Sequence, residues 1–79
     1  MIGLDELNNI FQQVFGDETL KISRETTAAD VENWDSLTHM DLIVSIESQL
    51  KIKFALVDLL RLQNVGELLD LTNVELAKK

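Results

Sequence analysis

The chain predicts an all-α fold: a four-helix bundle with three main helices, one short third helix, and a long ordered loop between helices one and two. Three observations carry this expectation. Proline is absent and glycine occurs only three times in 79 residues, so little interrupts helical backbone. Apolar residues recur at steps of three and four over most of the length. The 46% hydrophobic content includes only one tryptophan and three phenylalanines, which makes the expected core mostly aliphatic. A chain this short encloses one hydrophobic core, hence a single domain over residues 1–79, and leaves little room for a deep active-site cleft.

The first helix follows from Leu7, Ile10, Phe11, Val14 and Phe15, whose spacing predicts Leu4–Phe15, with Gly16 where a helix end favours a left-handed residue. From Asp17 to Trp34 the pattern dissolves into a connection of about 18 residues, long for so small a domain. Leu20, Ile22, Val31 and Trp34 are the apolar residues able to pin it, and Thr27 with Asp30 can start a short helical turn over "AADV". The second helix is expected over Ser36 to about Leu50, with Asp35 as its N-cap. After "KIKF" breaks the period, "ALVDLLRL" allows a short third helix of about two turns. Asn64 with Glu67 then reads as a capping box for a last helix that buries Val65, Leu68, Leu69 and Thr72. Lys78 and Lys79 stand where cations oppose the negative pole of that helix.

Composition excludes several function classes. With 14 acidic against 7 basic residues and a net charge of −7, the chain repels nucleic acid and anionic membrane surfaces and suits partners with basic docking patches. No cysteine is present, so disulfides and thiolate metal sites are ruled out, and any thiol chemistry needs a borrowed thiol. The start "MIGLDELNNIFQQ" lacks a signal peptide's basic region and apolar core, and no apolar run is long enough for membrane insertion. The expectation is a cytoplasmic monomer.

The second helix has two faces. At about 100° per residue, Leu42, His39, Ile46, Leu50 and Ile43 fall on one arc, which is the core stripe. Leu37, Met40 and Val44 line the opposite side, bracketed by Asp41 and Glu47. Single exposed apolar residues are ordinary, but a stripe of three flanked by carboxylates reads as a docking face for a greasy groove with a basic rim. Met40 suits a surface that fits several partners.

Ser36 follows the cap residue, at the mouth of the helix with the positive pole and first-turn amides nearby. His39, one turn on, projects toward the core arc and reads as a partly buried structural histidine. A serine hydrolase therefore lacks its triad and oxyanion hole. The carboxylates are scattered and form no calcium loop or other metal site.

The segment "WDSLTHMDLIVSIE" resembles the signature of acyl carrier proteins, and with the helix order, length and acidity the resemblance covers nearly the whole chain. It implies a carrier that is not an enzyme. A phosphopantetheinyl transferase would move 4′-phosphopantetheine from coenzyme A to Ser36, through a phosphodiester, and the arm's terminal thiol would hold an acyl group as a thioester. The missing cysteines then cease to matter. Asp35, Leu37, Met40, Asp41, Val44 and Glu47 become recognition residues for the transferase and for acyl- or aminoacyl-loading and transfer enzymes. Fatty-acid, polyketide or another specialised biosynthesis is the implied setting. The third-helix region "KIKFALVDLLRLQ" departs from the usual acidic pattern of fatty-acid carriers, which favours a specialised pathway. Some of its leucines line an acyl cavity, meet a partner or pack on Trp34. An aminoacyl or peptidyl carrier of the same fold stays open, as does an unmodified helical interaction module.

Overall fold

In the computed structural model, which describes residues 1–78, Leu4–Phe15 form helix α1. Its apolar spacing puts Leu7, Ile10 and Phe11 on one buried face, and Gly16 ends it in the left-handed region at φ 64°. Helix α2 is Ser36–Leu50 and buries Leu42, Ile43 and Ile46, while α4 is Val65–Ala77 and buries Val65, Leu68 and Leu69. These three stripes, with Ile22 and Ile52 from the connections, make the single core cluster. Thr72 is also buried, and its hydroxyl donates to the Leu68 carbonyl at 2.8 Å, so its polarity is satisfied within the helix. Among the described residues there is no strand, and no helix is long and apolar enough to cross a membrane.

The long connection is held from both sides. Ile22 and Val31 are buried, and Leu20 and Trp34 pack on the core as partly buried residues. The polar face of α1 supplies the rest. Asn8 donates to the Leu20 carbonyl and accepts from the Ile22 amide at 2.8 Å, while Gln12 donates to the same Leu20 carbonyl at 2.9 Å. Loop carbonyls also serve α4, whose first amides lack partners within the helix. Val65 N–H donates to the Thr26 carbonyl and Gly66 N–H to the Arg24 carbonyl, both at 2.8 Å. Thr27 and Asp30 form a hydrogen-bonded turn rather than a helical one. Asp30 N–H donates to the Thr27 carbonyl, and the Asp30 carboxylate turns back to accept from the Thr27 amide at 3.0 Å.

Helix α3 is shorter than expected: one turn, Leu56–Leu59, not two. Beyond it, Arg61 N–H reaches the Asp58 carbonyl and Leu62 N–H the Leu59 carbonyl, the tighter i to i−3 pattern. Leu59 and Leu62 are the two residues here that pack on the core, and a spacing of three suits that winding, whereas Leu56, Val57 and Leu60 stay exposed. Asn64 caps α4 by accepting from Glu67 N–H at 2.9 Å. Glu67 does not return to Asn64 as a standard capping box requires. It reaches one residue further and accepts from Gln63 N–H. Lys78 is the C-cap and pairs with Glu75 at 3.1 Å, and Lys79 lies outside the described residues.

Candidate functional site

The site begins with a backbone device. Asn33 sits in the left-handed region at φ 71°, which asparagine tolerates better than most residues, and it swings the chain into the start of α2. Asp35 then caps the helix, one carboxylate oxygen accepting from the amides of Leu37 and Thr38 at 3.0 Å each. The Thr38 hydroxyl closes a capping box by accepting from Asp35 N–H at 2.8 Å and donating to the Asn33 carbonyl at 2.7 Å. The bond from the Thr38 amide, helped by that from Leu37, holds the Asp35 carboxyl below the usual range against the opposing effect of desolvation.

This arrangement leaves Ser36 exposed as the first residue of α2, its hydroxyl without a partner among the described residues. The amides of Leu37 and Thr38 are taken by Asp35, as its place at the N-cap requires.

Below the serine, Trp34 fixes the approach. Its indole meets Phe11 edge-on at 5.2 Å and Phe15 at 6.1 Å, which anchors the loop end to α1. On its other side it stacks on His39 at 6.0 Å and donates from Nε1 to His39 Nδ1 at 3.1 Å. His39 is half-buried, as its position on the core arc requires, and desolvation lowers its pKa. With Nδ1 engaged by Trp34, the ring is not arranged as a base for Ser36.

A groove of about 430 Å³ opens beside Ser36, between the start of α2 and the start of α4. Trp34, Met40, Leu62 and Leu68 give it an apolar lining, and His39 and Asn64 add polar groups. The sequence leaves His39 out of the site, yet the groove brings it and Ser36 to one surface. Ala28 and Leu62 also reach the lining from the loop and from the segment after α3, and nothing in their local spacing announces it. Thr38 does carry a signal in the sequence, since it stands three residues after the cap, where a capping-box partner belongs.

The predicted docking stripe is exposed, with Leu37 at 78%, Met40 at 51% and Val44 at 57% of their full accessibility, and Asp41 lies exposed beside them. Glu47 differs. It is partly buried, and its carboxylate accepts from the Phe54 amide at 2.9 Å. Asp35, Leu37, Met40, Asp41 and Val44 are therefore exposed along the first turns of α2 and its cap, while Glu47 also ties α2 to the segment that enters α3.

Residues 5–72 match a family model described as the phosphopantetheine attachment site. The fold and chain are similar to the solution NMR structure of a holo acyl carrier protein from Geobacter metallireducens. The two share 54% sequence identity with a TM-score of 0.93, over 99% of this chain and 90% of that one. Comparison with curated proteins gives no match. A family model over most of the chain, and a majority-identical relative with the same fold throughout, agree with a helix mouth that presents a free serine hydroxyl: the chain belongs to the acyl carrier proteins, carriers and not catalysts, whose working group is a covalently attached 4′-phosphopantetheine.

Proposed function

We propose that Ser36 is the residue that takes the arm. The observation that carries this reading is its unpartnered hydroxyl, held at the first position of α2 by a cap that uses the neighbouring amides and leaves the serine alone. A phosphopantetheinyl transferase joins Ser36 Oγ to the phosphorus that bears pantetheine in coenzyme A. The pyrophosphate bond breaks, adenosine 3′,5′-bisphosphate leaves, and the serine proton passes to the transferase. The thiol that the chain itself lacks then comes from the arm, which accepts acyl groups as thioesters.

Leu37, Met40 and Val44, with Asp35 and Asp41 beside them, form the face that transferase and acyl-handling enzymes visit in turn. Weak, charge-steered contacts suit a carrier that must leave each enzyme quickly. The chain works as a cytoplasmic monomer. Its pathway is fatty-acid, polyketide or another specialised acyl synthesis, and the exposed Leu56, Val57 and Leu60 favour the specialised setting by adding apolar surface at α3. An aminoacyl or peptidyl carrier would share the fold and would be told apart by loading with amino-acid-activating enzymes.

Incubation with coenzyme A and a promiscuous phosphopantetheinyl transferase tests the reading. One phosphopantetheine mass increment is expected on the intact protein, and none on Ser36→Ala. An increment that survives the substitution would move the site elsewhere, and none on the parent would leave only the interaction-module reading.

A further inference from the structure

The groove beside Ser36 is apolar along most of its lining but contains the His39 imidazole. The indole Nε1 of Trp34 is a donor only, so in its 3.1 Å bond with His39 Nδ1 the indole gives the hydrogen and the imidazole accepts it. Nδ1 therefore carries no proton, and the neutral ring holds its one proton on Nε2. Partial burial acts in the same direction by disfavouring the charged ring.

Nε2 has no hydrogen-bond partner among the described residues. It is not sealed in either, since no buried side-chain nitrogen or oxygen is left without a partner among them. The bond to Trp34 thus fixes a donor at the accessible edge of a half-buried ring that lines the groove. A hydrocarbon laid over that N–H would strip its water and return nothing, whereas a guest oxygen placed there would replace the water with a hydrogen bond.

We propose that His39 Nε2–H is a binding donor for an acceptor oxygen, a carbonyl or hydroxyl, on the arm at Ser36 or on its acyl cargo, and that Trp34 is the residue that positions it. This rests on the reading of Ser36 as the attachment residue. A site built around such a donor discriminates against a guest that lacks the oxygen, because the donor is then buried unpaired. The groove consequently favours β-hydroxy- or β-oxoacyl groups over saturated chains of the same length, unless an amide carbonyl of the arm or the thioester carbonyl shared by all cargoes already occupies the donor.

The test uses the ¹⁵N-labelled full chain in four states: apo, holo, hexanoyl and β-hydroxyhexanoyl, each loaded from the matching coenzyme A derivative and verified by mass. NMR then reads the His39 Nε2 shift, the exchange of its proton with water, and the Trp34 indole signal. In the state that supplies the oxygen, Nε2–H should move downfield and its exchange should slow about fivefold, as a net hydrogen bond of ordinary strength implies, while the indole signal stays in place. A change already present in the holo state assigns the oxygen to the arm, one that appears equally with both acyl cargoes assigns it to the thioester carbonyl, and one that appears only with the β-hydroxy cargo assigns it to the hydroxyl. Each supports the proposal.

A mass gain with an imidazole that is the same in all four states overturns the proposal and leaves the carrier reading intact. No mass gain overturns both. His39→Phe, checked for helix content by circular dichroism, should lose any thermal stabilisation that β-hydroxyhexanoyl cargo gives over hexanoyl cargo. If the difference persists in that variant, the donor is not His39.

Discussion

The carboxylate of Glu47 accepts the backbone amide of Phe54 at 2.9 Å, so an acidic residue placed on the docking helix also ties the end of α2 to the chain entering α3. Phe54 is partly buried, and its amide would be left short of a partner if that acceptor were removed. Glu47→Ala is expected to cost about 1–2 kcal/mol of stability, while Glu47→Gln, which keeps an acceptor and loses only charge, costs less. Urea denaturation of the two variants decides this, and equal losses would mean that the hydrogen bond contributes nothing.

Asp41 offers the cleaner test of docking, because it lies exposed on the same helix and forms no hydrogen bond or ion pair among the described residues. Asp41→Lys should change stability by no more than about 0.5 kcal/mol and slow modification by a phosphopantetheinyl transferase. The slowing should be largest at low salt, since steering between exposed charges is screened over about 10 Å at 0.1 M ionic strength. Unchanged rates at low salt would reduce Asp41 to solvated surface.

Thr38 fixes the entry to α2 through two hydrogen bonds of its hydroxyl, one to the carbonyl of Asn33 and one from the amide of Asp35. Thr38→Val keeps the shape and removes both, with an expected loss of about 1–2 kcal/mol, in the range for a helix cap. Transferase kinetics should also suffer, because Ser36 lies between Asp35 and Thr38, which the hydroxyl ties together. Thr38→Ser should restore both properties. A Val variant as stable as the parent would show the capping box to be idle.

Gly66 reverses a common rule. Alanine usually stabilises a helix over glycine by about 1 kcal/mol, yet a Cβ here would lie 2.9 Å from the Arg24 carbonyl oxygen, which is backbone and already accepts the Gly66 amide. Gly66→Ala is therefore expected to destabilise by about 1–3 kcal/mol, as overpacking does. A urea midpoint that falls at constant slope is the expected readout, and a rise would mean that the loop yields freely.

The bounds of α1 and α2 were legible because each has an apolar stripe at helical spacing and a plain terminator or cap: Gly16 for α1 and Asp35 for α2. The exposure of Leu37, Met40 and Val44 was legible for the same reason, since they lie opposite the core face of the helix. What could not be read were contacts between segments distant in the chain. Asn8 and Gln12 look like solvated polar residues until the loop lies against them, and the groove needs Leu62 and Asn64 brought back beside Trp34. The length of helix α3 is not legible because a run of leucines and valine satisfies several periods at once, and only packing reveals that Leu59 and Leu62 alone turn inward. The partial burial of His39 follows from its place on the core arc, but its bond to Trp34 is invisible in the spacing.

That bond also makes stability depend on pH near neutrality. His39 Nδ1 accepts from Trp34, so protonating the ring puts a second donor against the indole N–H and costs the hydrogen bond. Burial lowers the folded-state pKa below the ordinary imidazole value, so at intermediate pH the unfolded chain binds a proton that the folded one does not. Stability is then full above about pH 6.5, declines as the pH falls toward the depressed folded value, and levels off below it. The Asp35 carboxyl, also depressed, gives stability that is lost only at more acidic pH, so the two effects separate. Urea denaturation followed by Trp34 fluorescence at several pH values between about 5 and 8 should show the decline. His39→Gln, which does not titrate, should flatten it. A parent whose midpoint is constant across that range, or a variant that keeps the slope, would show that the proton goes elsewhere and that the Trp34 to His39 contact is not coupled to folding.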